Sequence, residues 1–331
     1  MAFAAYCRDD EVLKSSSSGG IFSCIAEEIL KNDGKVYGAA LDEERCLTHI
    51  GIDDRKLLER LRKSKYIQSD TKKTFAEVKS DLKKDRMVLY VGTPCQIAGL
   101  QLFLGKKHEN LLTLDVICHG VPSQKLFNAY VQSLEDKHKG RVTRVDFRDK
   151  TRNGWSITLS YDIEGRDGVK RSYFVRSTFS SYFSGFLAGV TLRESCYKCY
   201  YASMARAGDI TMADYWGYQR VFPDIDSKRG LSLLLVNTDS GKRILEGMGN
   251  RIWKREVTIE QACMGENINL HRPTPRPEAR SIVYGELLSK GYSCIEKKYL
   301  RPKNYYLRVI KSKVPLCLRK AMKRILGIQY Q

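Results

Sequence analysis

Long apolar runs are missing from this chain. None reaches the roughly 18 residues that a membrane-crossing helix needs, so no transmembrane helix is expected. The opening MAFAAYCRDD is apolar but far too short for a secretory leader; nothing argues for export, and the expected location is the cytoplasm. No Gly-Lys-Ser/Thr closes a P-loop and no GxGxxG marks a dinucleotide turn, which removes two common phosphate-binding signatures. Only one Cys-x-x-Cys pair occurs, where a structural zinc site usually has two. There is no internal repeat, and low complexity stops at the four serines before Gly19. Acidic residues are absent from one stretch: Lys297 to Gln331 holds 11 Lys and Arg and no Asp or Glu.

What is present suits a soluble globular protein. The 331 residues, 42% hydrophobic and 29% charged, allow two domains or one large domain with an appendage. A net charge of +19 fits nucleic acid, an anionic membrane face or an acidic protein partner, and composition does not choose among them. Ten cysteines are many for a cytosolic chain, where clustering points to metal or redox chemistry. Cys7, Cys24, Cys46, Cys263, Cys294 and Cys317 are expected to be small apolar residues, leaving four as ligand candidates.

The first 140 residues alternate strands and helices. Strands are expected over 2–6, 35–41 and 47–52, with a helix over 21–31 whose Ile21, Ile25 and Ile29 share a face. Asp70 or Thr71 is expected to cap a helix through Leu82. Two further segments repeat one pattern. The apolar run 87–91 ends in Gly92-Thr93-Pro94-Cys95, the run 111–117 ends in Cys118-His119-Gly120, and a helix follows each. Such runs read as buried parallel strands, whose carboxyl ends are where open α/β sheets place ligands. Neighbouring strands lie about 4.8 Å apart, so both cysteines can face one site. Segments 141–147, 155–161 and 173–176 alternate as antiparallel strands with a turn at Asp167-Gly168, then come a helix over 179–188, the Cys196–Cys199 pair, and strands over 209–214 and 231–236. His271–Pro277 reads as a linker. The fold expected is α/β with a mostly parallel amino-terminal sheet over 1–140, a smaller α+β part over 141–270, and a helical basic tail over 271–331.

A Cys-x-x-Cys pair aims two sulfurs at one metal centre, and taken alone it divides between zinc and iron–sulfur. Cys95 and Cys118 sit in glycine-bearing loops at strand ends, where helix amino termini favour thiolates, and four cysteine thiolates are a common iron–sulfur ligand set. As a bare pattern, both equally suit a buried core. Ser15–Gly20, opening a helix, offers donors to a phosphate, although a flexible serine loop fits as well. Lys65 could meet a phosphate or flavin carbonyl, or simply be solvated. His119, beside Cys118, makes a poor partner for it as a nucleophile; a hydrolase would need a histidine from elsewhere, such as His49 or His271. A helix from Pro315, with Leu316, Met322, Ile325 and Leu326 apolar and Arg319, Lys320, Lys323 and Arg324 basic, suits an anionic membrane, an acidic partner or plain packing.

The motifs in their order resemble the beta subunit family of deazaflavin-coenzyme (F420) hydrogenases and dehydrogenases. They are Ser-Ser-Gly-Gly (17–20), Ser-Lys-Tyr (64–66), Gly-Thr-Pro-Cys-Gln (92–96) and Cys-His-Gly-Val-Pro-Ser (118–123). The later half adds Phe147-Arg148, Gly154-Trp155, the stretch Leu192 to Cys199, and Asp209 to Gly217. The resemblance runs from about Ala4 to Thr238 and includes the branch found in bacterial surface-polysaccharide gene groups.

This resemblance implies FAD and one 4Fe–4S cluster. Carried over by motif, Cys95, Cys118, Cys196 and Cys199 are the metal ligands. Ser17, Ser18, Gly19 and Gly20 lie by the flavin phosphates, while Ser64, Lys65, Gly92, Thr93, Gln96, His119 and Gly120 lie near the flavin. Lys65 and His119 are the catalytic candidates. Many relatives begin with a ferredoxin-like module that is not in this sequence, so a separate ferredoxin or other iron–sulfur protein is the expected electron partner. A small-molecule or deazaflavin substrate is expected, with peripheral membrane contact through the tail open and no nucleic acid. The rival readings are a polysaccharide-biosynthesis enzyme with a structural metal and a zinc-containing nucleic-acid binder.

Overall fold

The computed structural model describes residues 1–226, 229–264, 267–302 and 304–313. The helix expected from Pro315 lies outside them. Eleven strands are described, β1 (Ala2–Cys7), β2 (Lys35–Leu41), β3 (Leu47–Ile52), β4 (Val88–Val91), β5 (Leu111–Val116), β6 (Gly140–Asp146), β7 (Thr158–Gly165), β8 (Lys170–Arg176), β9 (Ile210–Asp214), β10 (Ser232–Val236) and β11 (Ile252–Val257). The helices are α1 (Asp10–Lys14), α2 (Ile21–Lys31), α3 (Leu58–Leu61), α4 (Thr74–Lys83), α5 (Pro94–Leu104), α6 (Gln124–His138), α7 (Ser181–Leu187), α8 (Asp239–Gly247), α9 (Ile259–Cys263), α10 (Arg280–Lys290), α11 (Tyr292–Ile295) and α12 (Tyr305–Lys313). Among the described residues none is long and apolar enough to cross a membrane.

The α/β expectation holds. Eight strands form one sheet in the order β11-β1-β10-β9-β5-β4-β2-β3. Its middle is parallel, β2 with β4, β4 with β5 and β5 with β9. The outer pairs are antiparallel. The apolar runs of β4 and β5 are buried as strands covered on both faces must be. Strands β9 to β11, from beyond residue 200, complete the sheet that the first 140 residues begin. A separate three-stranded antiparallel sheet, β6-β7-β8, turns at Asp167-Gly168, and Gly168 takes a left-handed φ of 72° there.

Helix boundaries follow local chemistry. Thr93 and Gln96 make a capping box at α5 with Pro94 in the first turn, and Gly105 at φ 73° ends it. Ser123 caps α6 through Leu126 N. Two features differ from the sequence expectations. Helix α4 starts at Thr74, not at Asp70 or Thr71, because Asp70 is drawn into a bridge with Thr48 and Lys72 turns at φ 44°. Strand β11 is an addition, since Lys254-Arg255-Glu256 interrupts its apolar pattern; as an edge strand it can carry those charges.

Ile21, Ile25 and Ile29 of α2 pack with β1, β5 and β10 residues in one core. A second, more aromatic core joins α6 and the β6–β8 sheet to α7 and α10 through Phe127, Tyr130, Phe147, Tyr182 and Phe183.

Buried Tyr37 on β2 donates to Asp81 Oδ2 on α4 at 2.6 Å, and Lys35 Nζ lies 3.3 Å from the same oxygen. Burial alone would raise the Asp81 pKa, but the Tyr37 hydroxyl and the Lys35 ammonium bring it below the usual carboxylate value. Its contribution to stability is therefore present above the unfolded pKa of about 4 and is lost as pH falls through the lower folded value. Asp81→Asn should cost about 1–2 kcal/mol in urea unfolding at pH 7 and distinctly less at pH 3. An equal cost at both pH values would remove the charge from the account.

Candidate functional site

The carboxyl ends of β4, β5 and β9 open into a cleft of about 490 Å³. It runs from the Ser16–Gly20 loop past Lys65 to Cys95 and Cys118.

At one end stands the serine loop, where most hydroxyls are already committed. Ser15 and Ser16 donate back to α1 carbonyls, and Ser18 donates to Leu231 O at 2.8 Å. Ser17 differs: its oxygen accepts from Ser64 N at 2.8 Å, which leaves the hydroxyl proton able to point into the cleft. Gly20, at φ 78°, begins α2 with no side-chain cap, so the first N–H groups of that helix are free for a ligand. Gly19 does not line the cleft. It packs so tightly that a Cβ would lie 2.4 Å from Ala5 O, and its N–H donates to Ser232 Oγ. Lys150 holds the loop from behind, its ammonium donating to Leu13 O, Ser18 O and Arg229 O at 2.6–2.9 Å. Burial, with Arg148 nearby, pushes the Lys150 pKa down to about 7.

Midway, Ser64 and Lys65 line the cleft with Gly92, Thr93, Gln96, His119 and Gly120. Lys65 Nζ donates to Arg62 O at 2.6 Å, and burial pushes its pKa down to about 7 against the pull of Asp146 and Glu59. Gln96 is used by the protein: Oε1 accepts from Thr93 N, and Nε2 donates to Ser69 Oγ at 3.0 Å. Ser69 in turn donates to Nδ1 of buried His49, whose Nε2 donates to Val91 O at 3.0 Å. Burial lowers the His49 pKa to about 4, so this histidine is a neutral strut. His119 Nε2 donates to Phe186 O at 3.1 Å, and Thr274 Oγ1 lies 3.3 Å from Nδ1. Thr274 gives its one hydroxyl proton to His119 O at 2.8 Å, so the proline-rich stretch read as a linker is here fastened to the cleft wall.

At the far end Cys95 lies in the first turn of α5, exposed, with Thr93 Oγ1 3.1 Å from its sulfur. Cys118 follows β5, and a Cβ on Gly120 would sit 3.2 Å from Cys196 Cβ, so the absence of a side chain there lets the two loops meet. Burial pushes the Cys118 thiol up to about 12, and the neighbouring Cys196, Cys95 and Cys199 push the same way. Burial also raises Cys196, and Cys199 and Cys95 add to it. All four thiols thus share one neighbourhood. Among the described residues no three His, Cys, Asp or Glu side chains converge closely enough to grip a single ion. The Cys-x-x-Cys loop is anchored by buried Arg206, which donates to Tyr201 O, Ser203 O and Val116 O and pairs with buried Asp115 at 3.4 Å.

Arg148, Asp214 and Trp216 also line the cleft, in a cluster not foreseen as part of the site. Arg148 is 1% exposed and forms a two-pronged ion pair with Asp214 at 2.6 and 3.2 Å. It also donates to Tyr66 Oη, Ser17 O and Ser156 O. Burial works against its charge, but Asp214 and Tyr66 hold its pKa above the ordinary arginine value. Trp155 Nε1 donates to Asp214 Oδ1, and Trp155 stacks on Trp216 at 4.4 Å.

The family model for the C-terminal part of the coenzyme F420 hydrogenase/dehydrogenase beta subunit matches residues 85–260, more than half of the chain. The chain belongs to that family. As its description says, the family comprises hydrogenase and dehydrogenase subunits, so this is an oxidoreductase-type protein. The fold is similar to that of a chain in the xenon-derivatised F420-reducing [NiFe] hydrogenase complex from Methanosarcina barkeri, with a TM-score of 0.51 and 16% identity over 87% of this chain and 92% of that one. No curated protein sequence matches.

Several residues that carried the beta-subunit resemblance, Arg148, Trp155, Asp214 and Trp216, meet in this one cluster. The available signal was charge at strand ends, since Arg148 follows β6 closely and Asp214 ends β9. Asp214→Asn leaves the Arg148 guanidinium buried and unpaired and should cost about 3–5 kcal/mol in chemical denaturation. Arg148→Met combined with Asp214→Asn should cost less than the sum of the two single losses; a cost equal to that sum would show that the two side chains are not coupled.

Proposed function

We propose that this beta-subunit relative is an iron–sulfur flavoprotein. Cys95, Cys118, Cys196 and Cys199 would hold one 4Fe–4S cluster, and FAD would lie along the cleft with its phosphates against Ser17, Ser18, Gly20 and the amino terminus of α2. The observation that carries this reading is a continuous cleft leading from an uncapped helix amino terminus to Cys95 and Cys118, with Cys196 and Cys199 neighbouring Cys118. The donor set fits: a cubane takes one thiolate per iron and spreads its ligands wider than a lone ion does. That suits thiols that neighbour one another without converging. A cluster exchanges single electrons, hydride chemistry needs two, and a flavin handles both, which is the chemistry the pair supplies when bound.

The chain's own residues bind and orient. Ser17 Oγ and the α2 amides would donate to phosphate oxygens, and Gly92 and Gly120 keep the walls thin. Lys65 and His119 are the candidate catalytic groups. Lys65 holds or releases a proton at Nζ near neutral pH, and His119 presents a ring fixed by Phe186 and Thr274. Electrons pass to or from a small organic substrate or the deazaflavin coenzyme, with a ferredoxin or similar acidic iron–sulfur protein as partner for this basic chain. Residues over 1–140 would supply the flavin part together with Cys95 and Cys118, those over 141–270 the Cys196–Cys199 pair, and the basic end of 271–331 a tail, in a cytoplasmic protein that can touch anionic membrane through it.

Anaerobically purified protein should contain iron and acid-labile sulfide in equal amounts and release FAD on heating. Cys118→Ser should lose the iron and sulfide but keep FAD. Stoichiometric zinc without sulfide would overturn the cluster assignment. FAD affinity should fall as pH rises through about 7, where Lys65 loses its proton. Lys65→Met should bind about 10-fold more weakly at pH 6, with the gap closing above pH 8; a pH-independent gap in flavin-fluorescence titrations would contradict a charged role for Lys65.

A further inference from the structure

Of the cysteines outside the chemistry described so far, Cys7 and Cys24 lie side by side. Cys7 ends β1 and Cys24 sits in α2, and both are almost wholly buried, at 3% and 0% exposure. Their sulfurs are 2.7 Å apart, about 0.6 Å beyond the length of a disulfide bond. The two residues also hold the glycines between them. Cys7 N donates to Gly19 O at 2.6 Å, and Cys24 N donates to Gly20 O at 3.3 Å. Gly20 lines the cleft, and a Cβ there would lie 3.2 Å from Cys7 Cβ. The sulfur pair is thus one glycine behind the cleft wall.

We propose that Cys7 and Cys24 are a redox modification site, forming a reversible disulfide that locks the Ser15–Gly20 loop, with a small peroxide as oxidant and a low-molecular-weight thiol as reductant. The hydrogen bond from Cys24 brings the Cys7 thiol down against the opposing effect of burial, while the same bond raises Cys24. This makes Cys7 the nucleophile. The Cys7 thiolate attacks one peroxide oxygen, the O–O bond breaks, and Cys7 becomes a sulfenic acid while the departing hydroxide takes up a proton as water. The Cys24 sulfur then attacks the Cys7 sulfur. The S–S bond forms, the S–O bond breaks, and the Cys24 proton leaves with the hydroxyl as a second water. Two thiols are oxidised and one peroxide is reduced. Two equivalents of free thiol reverse the change and leave as their own disulfide.

The test treats the full chain with hydrogen peroxide, blocks remaining thiols with N-ethylmaleimide under denaturing conditions, and digests with trypsin without reductant. Cys7 falls in the peptide 1–8 and Cys24 in 15–31. The two should appear joined, lighter than their sum by two hydrogens, and separate on reduction. Cys24→Ser should instead yield a Cys7 sulfenic acid that dimedone captures, and Cys7→Ser should leave Cys24 unmodified. Maleimide on both peptides at peroxide doses that oxidise exposed Cys95, or pairing of either cysteine elsewhere, would overturn the proposal. Amide exchange across 15–20 should slow by about fivefold in the oxidised protein; a disulfide that leaves exchange unchanged would remove the lock.

Discussion

The Arg148–Asp214 ion pair is the constraint on which the site's geometry depends. Every N–H of the guanidinium is used, two on Asp214 and one each on Tyr66 Oη, Ser17 O and Ser156 O. Those partners come from the end of β9, the segment after α3, the serine loop and the approach to β7. Four stretches of chain are therefore held by one side chain. A buried pair of this kind is a poor stabiliser compared with apolar residues of the same volume, because both charges must leave water. Its value lies in direction: a planar fork with five donors fixes angles that an apolar contact leaves loose.

Charge at and behind the cleft is adjustable at two lysines. Arg148 is neutralised by Asp214, while Lys65 and Lys150 both have pKa values near 7 and so carry only part of their charge at neutral pH. A buried anion raises the pKa of an ammonium beside it. Lys65 can therefore gain charge when an anion arrives and shed it on departure.

Much of this was legible in the residues. The apolar runs before Gly92 and Cys118 fixed two parallel strands and the loops after them, because a continuously apolar segment with a glycine or cysteine turn has few other uses. Ile21–Lys31 declared itself through a 3.6-residue apolar stripe. The less legible parts depend on contacts distant in sequence. Nothing local to Arg148 says that Asp214 will meet it, and a lone arginine normally reads as solvated. Gly19 reads as part of a phosphate loop; its packing against Ala5 and Ser232 could be known only once β1 and β10 were paired. Strand β11 was hidden by three consecutive charges, and the start of α4 by a bridge to Thr48 that no periodicity encodes.

The position of β1 has a consequence for how the molecule comes into being. The strand is second from one edge of the large sheet, between β10 and β11, and the amino group of Met1 donates to Val236 O across 235 residues of sequence. A chain leaving the ribosome thus exposes its first strand long before either neighbour has been made. Non-local pairing of this kind slows folding, and an unpaired apolar strand invites wrong associations while it waits. The serine loop inherits that delay, because Ser18 and Gly19 are fixed by Leu231 and Ser232. One end of the cleft can take shape only after translation has passed β10.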